Sequence, residues 1–235
     1  MERIDKIIAS QTKYSRKDVK KLISQKKIKV NNEIVKRPEQ KFDELQDAIY
    51  IDENKLDMKK HIYLVLNKPQ GYISATEDRT AKTVLDLVPE QYMRKRLFPA
   101  GRLDKDTTGM MIITDDGEFA HNILAPRKHI EKTYKVQIDI DITEEMREKF
   151  KQGIVLKDHV CCPATIVVKD KNTALITITE GKYHQIKRMF GCFGAKVVRL
   201  HRISMGGLQL PRDLEEGQCR ELTKEELEKV CTRDK

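Results

Sequence analysis

Apolar residues in the first fifty positions fall into a helical stripe and then into short alternating runs. In "YSRKDVKKLISQKKIKVNNEIVKRP", Val19, Leu22 and Ile23 recur at i, i+3 and i+4, the spacing of one helix face. Ser15 stands at its start with Asp18 three positions on, a capping-box pair. "IKV" and "EIV" flank Asn31-Asn32, a two-residue hairpin signal. "IDENKLDMKK" at 51–60 is polar and reads as a linker. Beyond it, "IYLVLNKP" reads as a strand running into a turn at Pro69-Gln70-Gly71, and "MMIIT" at 110–114 as a buried strand. "TYKVQIDI" at 133–140 alternates, with Tyr134, Val136, Ile138 and Ile140 on one face. "ATIVVKD" and "TALITIT" pair as a hairpin across "KDKN". Thr143, followed by Glu144 and Glu145, starts a helix that stops at Gly153. Thr223 and Glu226 open another, stapled by Leu222 and Leu227. Strands and helices do not alternate regularly. The pattern therefore predicts α+β: a small N-terminal α/β domain with its linker over 1–58, and a domain over 60–235 with a mainly antiparallel mixed sheet and flanking helices.

Charge changes that picture. The net charge of +9 is concentrated in residues 1–41, where 13 Lys/Arg face 5 Asp/Glu, leaving the remainder close to neutral. A basic head on a neutral body suits a polyanion, nucleic acid above all, although a solvated basic face has the same composition. Around the Ser15 helix the candidates for phosphate contacts are Arg16, Lys17, Lys20, Lys21, Lys26 and Lys27. The longest apolar runs fall well short of the roughly 18 residues that suggest a membrane span. Five cysteines, with Cys161 and Cys162 adjacent, argue for reduced thiols in a cytoplasm. "HVCC" at 159–162 lacks a second half at zinc-site spacing, so no metal site is expected.

Three stretches hold more polar chemistry than a fold needs. "GRLDKDTTG" at 101–109 crowds Arg102, Asp104, Lys105, Asp106, Thr107 and Thr108 between glycines at the entrance to a buried strand. "KTY" puts Tyr134 at the mouth of an alternating strand, where packing beside Val136 also accounts for it. In "EGKYHQIKRMFGCFG" at 180–194, Gly181 precedes a helix whose apolar stripe is Ile186, Met189, Phe190 and Phe193, with Lys187 and Arg188 off the stripe. Such a helix can receive an anion or simply carry solvated cations.

Two short helices and a hairpin over about residues 1–48 resemble the small RNA-binding domain first known from a ribosomal small-subunit protein. The order "LNKPQGY", "GRLDKDTTG", "EKTY", "EGKYHQIKRMF" behind that head resembles the pseudouridine synthases of the branch that acts on ribosomal RNA. "HQIKRMF" followed by "LHRISMGGLQL" is most similar to members acting on 16S rRNA, of the pseudouridine(516) type. Large-subunit relatives usually read more like "NREVRR" there.

The resemblance implies isomerisation of a uridine to pseudouridine, with no cofactor and no metal. It makes Asp104 the catalytic carboxylate, Tyr134 the tyrosine that stacks on the target base, and Lys187 the cation that pairs with Asp104. Ile186 would pack under the base, Arg102 would lie beside the catalytic loop, and Arg188 would contact substrate. Lys68 would sit in a turn near the cleft, in substrate binding or in a structural role. Asp106 reads as structural. The implied partner is ribosomal RNA, free or in a partly assembled small subunit, met by a cytoplasmic monomer. A 23S rRNA synthase and a non-catalytic ribosome-assembly factor are the alternatives.

Overall fold

Ser15 does what its position predicts. Its hydroxyl accepts the Asp18 N–H at 3.1 Å, and the Asp18 carboxylate accepts the Ser15 N–H at 2.8 Å. The computed structural model describes residues 1–232 apart from Leu45 and Lys95. It divides into one unit of Met1–Ile62 with Val88–Leu97, and a second of Tyr63–Leu87 with the chain from Phe98 onward.

The first unit runs β1 (Glu2–Arg3), α1 (Ile4–Gln11), α2 (Arg16–Ser24), β2 (Ile28–Val30), β3 (Glu33–Ile34), β4 (Lys41–Phe42), β5 (Ile49–Ile51) and β6 (Asn54–Lys55). Val19, Leu22 and Ile23 of α2 close over Ile4, Ile7 and Ile8 of α1 and over Ile28, Val30 and Ile49 of the sheet. Asn31 and Asn32 take φ of 50° and 71°, the left-handed pair that a tight hairpin turn requires. The sheet order is β3-β2-β5-β6. The polar run at 51–60 is therefore not simply a linker. Asp52 and Glu53, at φ 46° and 68°, turn β5 into β6, and their carboxylates pair with Lys27 and Lys29 of the first hairpin. Its polarity reflects an exposed hairpin tip.

The second unit holds β7 (Tyr63–Lys68), β8 (Phe98–Pro99), β9 (Thr108–Thr114), α3 (Gly117–Leu124), β10 (Lys132–Ile138), α4 (Glu144–Gln152), β11 (Thr165–Asp170), β12 (Thr173–Ile178), α5 (Gln185–Gly191), β13 (Val197–Met205), β14 (Leu208–Gln209), β15 (Cys219–Glu221) and α6 (Lys224–Cys231). Its sheet runs β11-β12-β10-β13-β9-β7-β15, with β14 on β13 and β8 on β9. Every pairing is antiparallel except β13 with β9. Along one layer Val65, Met110, Ile112 and Met205 pack with Ala120 and Ile123 of α3 and Val230 of α6. Elsewhere Phe150 of α4 meets Phe190 of α5 with ring centroids 4.9 Å apart. Ile140 does not continue the buried face of β10. The ladder stops at Ile138, where Asp139 turns to accept the Lys196 N–H at 2.7 Å, and Ile140 is left 41% exposed.

The parallel contact positions the site. Gly109 lies opposite Arg202 at φ +98°, and a Cβ there would stand 2.3 Å from the Arg202 carbonyl oxygen. Glycine is required both for the backbone angle and for the close approach. Its place at the end of "TTG" brings the loop before β9 against β13.

Candidate active site

The polar loop at 103–107 is held almost entirely through its own backbone. Ser74 Oγ donates to the Leu103 carbonyl at 2.8 Å and accepts the Leu103 N–H at 2.9 Å. The Gly71 N–H donates to the Lys105 carbonyl at 2.8 Å, and the Thr107 N–H donates to that of Asp104 at 3.1 Å. From beneath, Lys68 Nζ donates to the carbonyls of Thr107 at 2.8 Å, Pro69 at 3.1 Å and Lys105 at 3.4 Å. Lys68 is thus the buried last residue of β7, and the turn begins only after it. It does not line the pocket; it carries the loop's carbonyls. Burial pulls its ammonium down to about 8, against partial support from Asp106 and Asp104.

With its backbone pinned, the loop can turn Asp104 outward. The carboxylate lies in a pocket lined by Arg102, Thr107, Tyr134, Ile186 and Lys187. Lys187 Nζ is 3.0 Å from Asp104 Oδ2 and 2.6 Å from Asp106 Oδ1. On the other side His184 Nε2 stands 3.3 Å from Asp104 Oδ1. Burial alone would lower the Lys187 ammonium, but hydrogen bonds to Asp106 and Asp104 outweigh it and hold it above its ordinary value. The same hydrogen bond from Lys187 holds the Asp106 carboxyl below its usual range. One cation shared by two carboxylates favours the ionised form of Asp106 and fixes Lys187 over Asp104.

Tyr134 is on β10, 6% exposed, and pairs across to Arg202 on β13. Arg202 is 2% exposed, donates from Nε to the Met110 carbonyl at 2.6 Å, and places its guanidinium carbon 6.0 Å from the Tyr134 ring centre. It braces the tyrosine from within the sheet. Arg102 reaches the pocket and makes no hydrogen bond or ion pair among the described residues. Arg188 instead turns to Asp158 and to the Tyr183 carbonyl, so its place is a tether of the turn before α5. In the first unit, Arg16 is committed to Asp5, a fully buried carboxylate that also binds Arg3. Burial would raise that carboxyl, and the two guanidiniums hold it low. Lys27 pairs with Asp52, whereas Lys17, Lys20, Lys21 and Lys26 are exposed and unpaired among the described residues.

Asp106, His184 and Arg202 escaped the sequence reading as site groups. Asp106 had a visible signal, its place two residues after Asp104. His184 and Arg202 act through a backbone turn and a strand pairing that no local pattern encodes. The half-site at "HVCC" does gain a third group: ligand atoms of His159, Cys161 and Glu180 lie within 4.8 Å of one another. Glu180 Oε1, however, already accepts the Cys162 N–H at 2.9 Å and the Gln185 amide at 2.8 Å.

These residues match a known pattern. A family model described as RNA pseudouridylate synthase matches residues 62–191, and one described as S4 domain matches residues 2–47. The chain belongs to the RNA pseudouridine synthase family. It is 40% identical over 230 residues to the ribosomal small subunit pseudouridine synthase A of Escherichia coli (strain K12), covering 97% of this chain and 99% of that one. The corresponding protein of Haemophilus influenzae is 38% identical over 231 residues, covering 97% and 99%. A solved pseudouridylate synthase superposes with a TM-score of 0.69 at 38% identity, over 98% of this chain and 100% of that one.

Proposed function

We propose that this chain converts a uridine of the small-subunit 16S rRNA to pseudouridine, as an enzyme of the position-516 type. The observation that carries the reading is the Asp104–Lys187 contact at the mouth of a pocket that also holds Tyr134 and Ile186. A uridine flipped from its strand enters this pocket. Cleaving its glycosidic bond builds positive character on the sugar, which the Asp104 carboxylate meets. Uracil, resting on Ile186 and against the Tyr134 ring, is rejoined through carbon five, and the Tyr134 hydroxyl takes part in removing the proton there. Reactant and product have the same atoms and electrons, so the reaction itself needs no redox partner. Arg102, free to move, takes a phosphate or the place that the flipped base leaves. Lys17, Lys20, Lys21 and Lys26 of the S4-type unit bind rRNA phosphates. No helix among the described residues is long and apolar enough to cross a membrane. The chain works as a monomer on rRNA, free or in a partly assembled small subunit, in the cytoplasm.

The test is to map pseudouridines in rRNA from cells with and without the chain. One 16S position should lose its modification and regain it with the wild-type chain but not with Asp104→Asn. A position lost from 23S rRNA would move the target to the large subunit, and no lost position would refute the rRNA reading.

A further inference from the structure

Tyr183 leaves 72% of its surface in solvent, although its chain neighbours Lys182 and His184 line the pocket. Its ring is nonetheless held. It lies on the His184 imidazole with centroids 3.9 Å apart and planes 19° from parallel. Consecutive side chains on extended backbone point to opposite sides. They can stack here because His184 takes φ 48° and ψ 33°, a left-handed conformation that costs a residue bearing a Cβ. The turn is locked from within: the Lys182 N–H donates to Gln185 Oε1 at 3.0 Å, and the Gln185 amide donates to Glu180 Oε1 at 2.8 Å. Arg188, fixed by Asp158, donates to the Tyr183 carbonyl at 3.5 Å. A line of contacts therefore runs outward from Asp104, through its polar contact with His184, to the Tyr183 ring stacked on His184 and largely open to solvent.

We propose that Tyr183 is a stacking platform for the nucleobase adjacent to the uridine that enters the pocket. The inference rests on the reading of the chain as an RNA uridine isomerase. Extruding a base removes its neighbour's stacking partner, and that loss opposes flipping. An open aromatic face at the pocket rim replaces the lost contact. Every base has a π-face, so the platform tolerates any neighbour and contributes affinity rather than sequence choice. Lys182, exposed and next in the chain, supplies a cation for the phosphate between the two nucleotides. An ornamental exposed tyrosine would need neither the strained His184 backbone nor the tether from Arg188.

The experiment uses the full chain and a 16S rRNA fragment spanning the uridine that the wild type converts, with 2-aminopurine placed in turn on either side of it. With wild type, fluorescence should be quenched at one flanking position. Tyr183→Phe should keep that quench, since it keeps the ring. Tyr183→Ala should lose it and bind about 5- to 150-fold more weakly, the range found for one base–aromatic stack. Melting temperature should not move, because the ring is exposed. Equal quench and affinity in Tyr183→Ala would overturn the platform, as would a Tyr183→Phe variant as weak as Tyr183→Ala, which would assign the contact to the hydroxyl. If the wild type converts no uridine in any 16S fragment, the enzymatic reading fails and the platform falls with it. Conversion of a uridine together with unchanged quench and affinity in Tyr183→Ala overturns the platform alone.

Discussion

Lys187 reaches Asp104 at 3.0 Å from the first turn of a helix that the sheet brings beside the loop. The side chains are 23% and 26% exposed, sheltered without being sealed, and Lys187 also holds Asp106. Asp104→Asn keeps shape and removes charge, so turnover should fall below about a thousandth of wild type while rRNA affinity stays within a few-fold. Purified variant and rRNA, assayed for pseudouridine, give the answer; appreciable product would remove Asp104 from the centre of the reaction.

Lys187→Met should lose activity and also stability. A fully buried pair broken on one side costs about 3–5 kcal/mol, and partial exposure reduces this to about 1–3 kcal/mol. The pH signs are opposite for the partners. Asp106, held low by Lys187, contributes stability above its unfolded pKa that fades as pH falls through the lower folded one. Lys187, held high, contributes below its unfolded pKa and fades only as pH rises through the raised one. Chemical melts of the variant at acid and neutral pH should converge toward wild type on the acid side. Unchanged activity and melting would dissolve the pairing.

Lys68 behaves the other way. Its folded pKa lies near 8, whereas the unfolded chain holds that proton to about 10.4. Between these values the unfolded state binds more protons, so stability rises with pH. Wild type should gain on Lys68→Met as pH climbs from 8 toward 10, and a flat difference would mean that Lys68 titrates normally. The variant should also lose turnover, because the carbonyls of Lys105 and Thr107 lose their donor.

Tyr134→Phe should retain the ring against the base and lose most turnover, since only the hydroxyl can relay a proton. Single-turnover assays at saturating RNA separate this from binding; near-normal rates would reduce Tyr134 to packing.

Gly109→Ala should cost about 2 kcal/mol or more, through its positive φ and the clash with the Arg202 carbonyl. Thermal melts test this, and a wild-type midpoint would show that β13 can retreat freely.

In the full chain, changing Lys17, Lys20, Lys21 and Lys26 to Gln should weaken rRNA binding and flatten its salt dependence. Each lost phosphate contact should remove about 0.9 from the slope of log affinity against log salt on duplex RNA, or about 0.7 on single strands. Identical slopes would place binding elsewhere.

Capping boxes at Ser15 and Thr223 and the Asn31-Asn32 turn were legible because each depends on residues within a few positions. The Asp104 loop was legible by resemblance, and its partner Lys187 by the same route. Lys68 was left open between substrate binding and a structural role, because the carbonyls of Lys105 and Thr107 that it holds lie too far along the chain for a local pattern to show. Arg202 gave no local signal, because its burial depends on β13 lying between β10 and β9. Ile140 obeyed the alternation after the ladder had ended.

The far edge of β7 is covered by β15, Cys219 against Leu66 and Glu221 against Leu64. During synthesis, roughly 150 residues separate emergence of these two strands, about 8–30 s at ordinary elongation rates. Throughout that interval one side of "YLVLNK" has no native neighbour, and an uncovered apolar strand invites pairing with other chains. The nascent protein therefore carries an open sheet edge until Cys219 has emerged, and a ribosome stalled short of that point would release a product for chaperones rather than an enzyme.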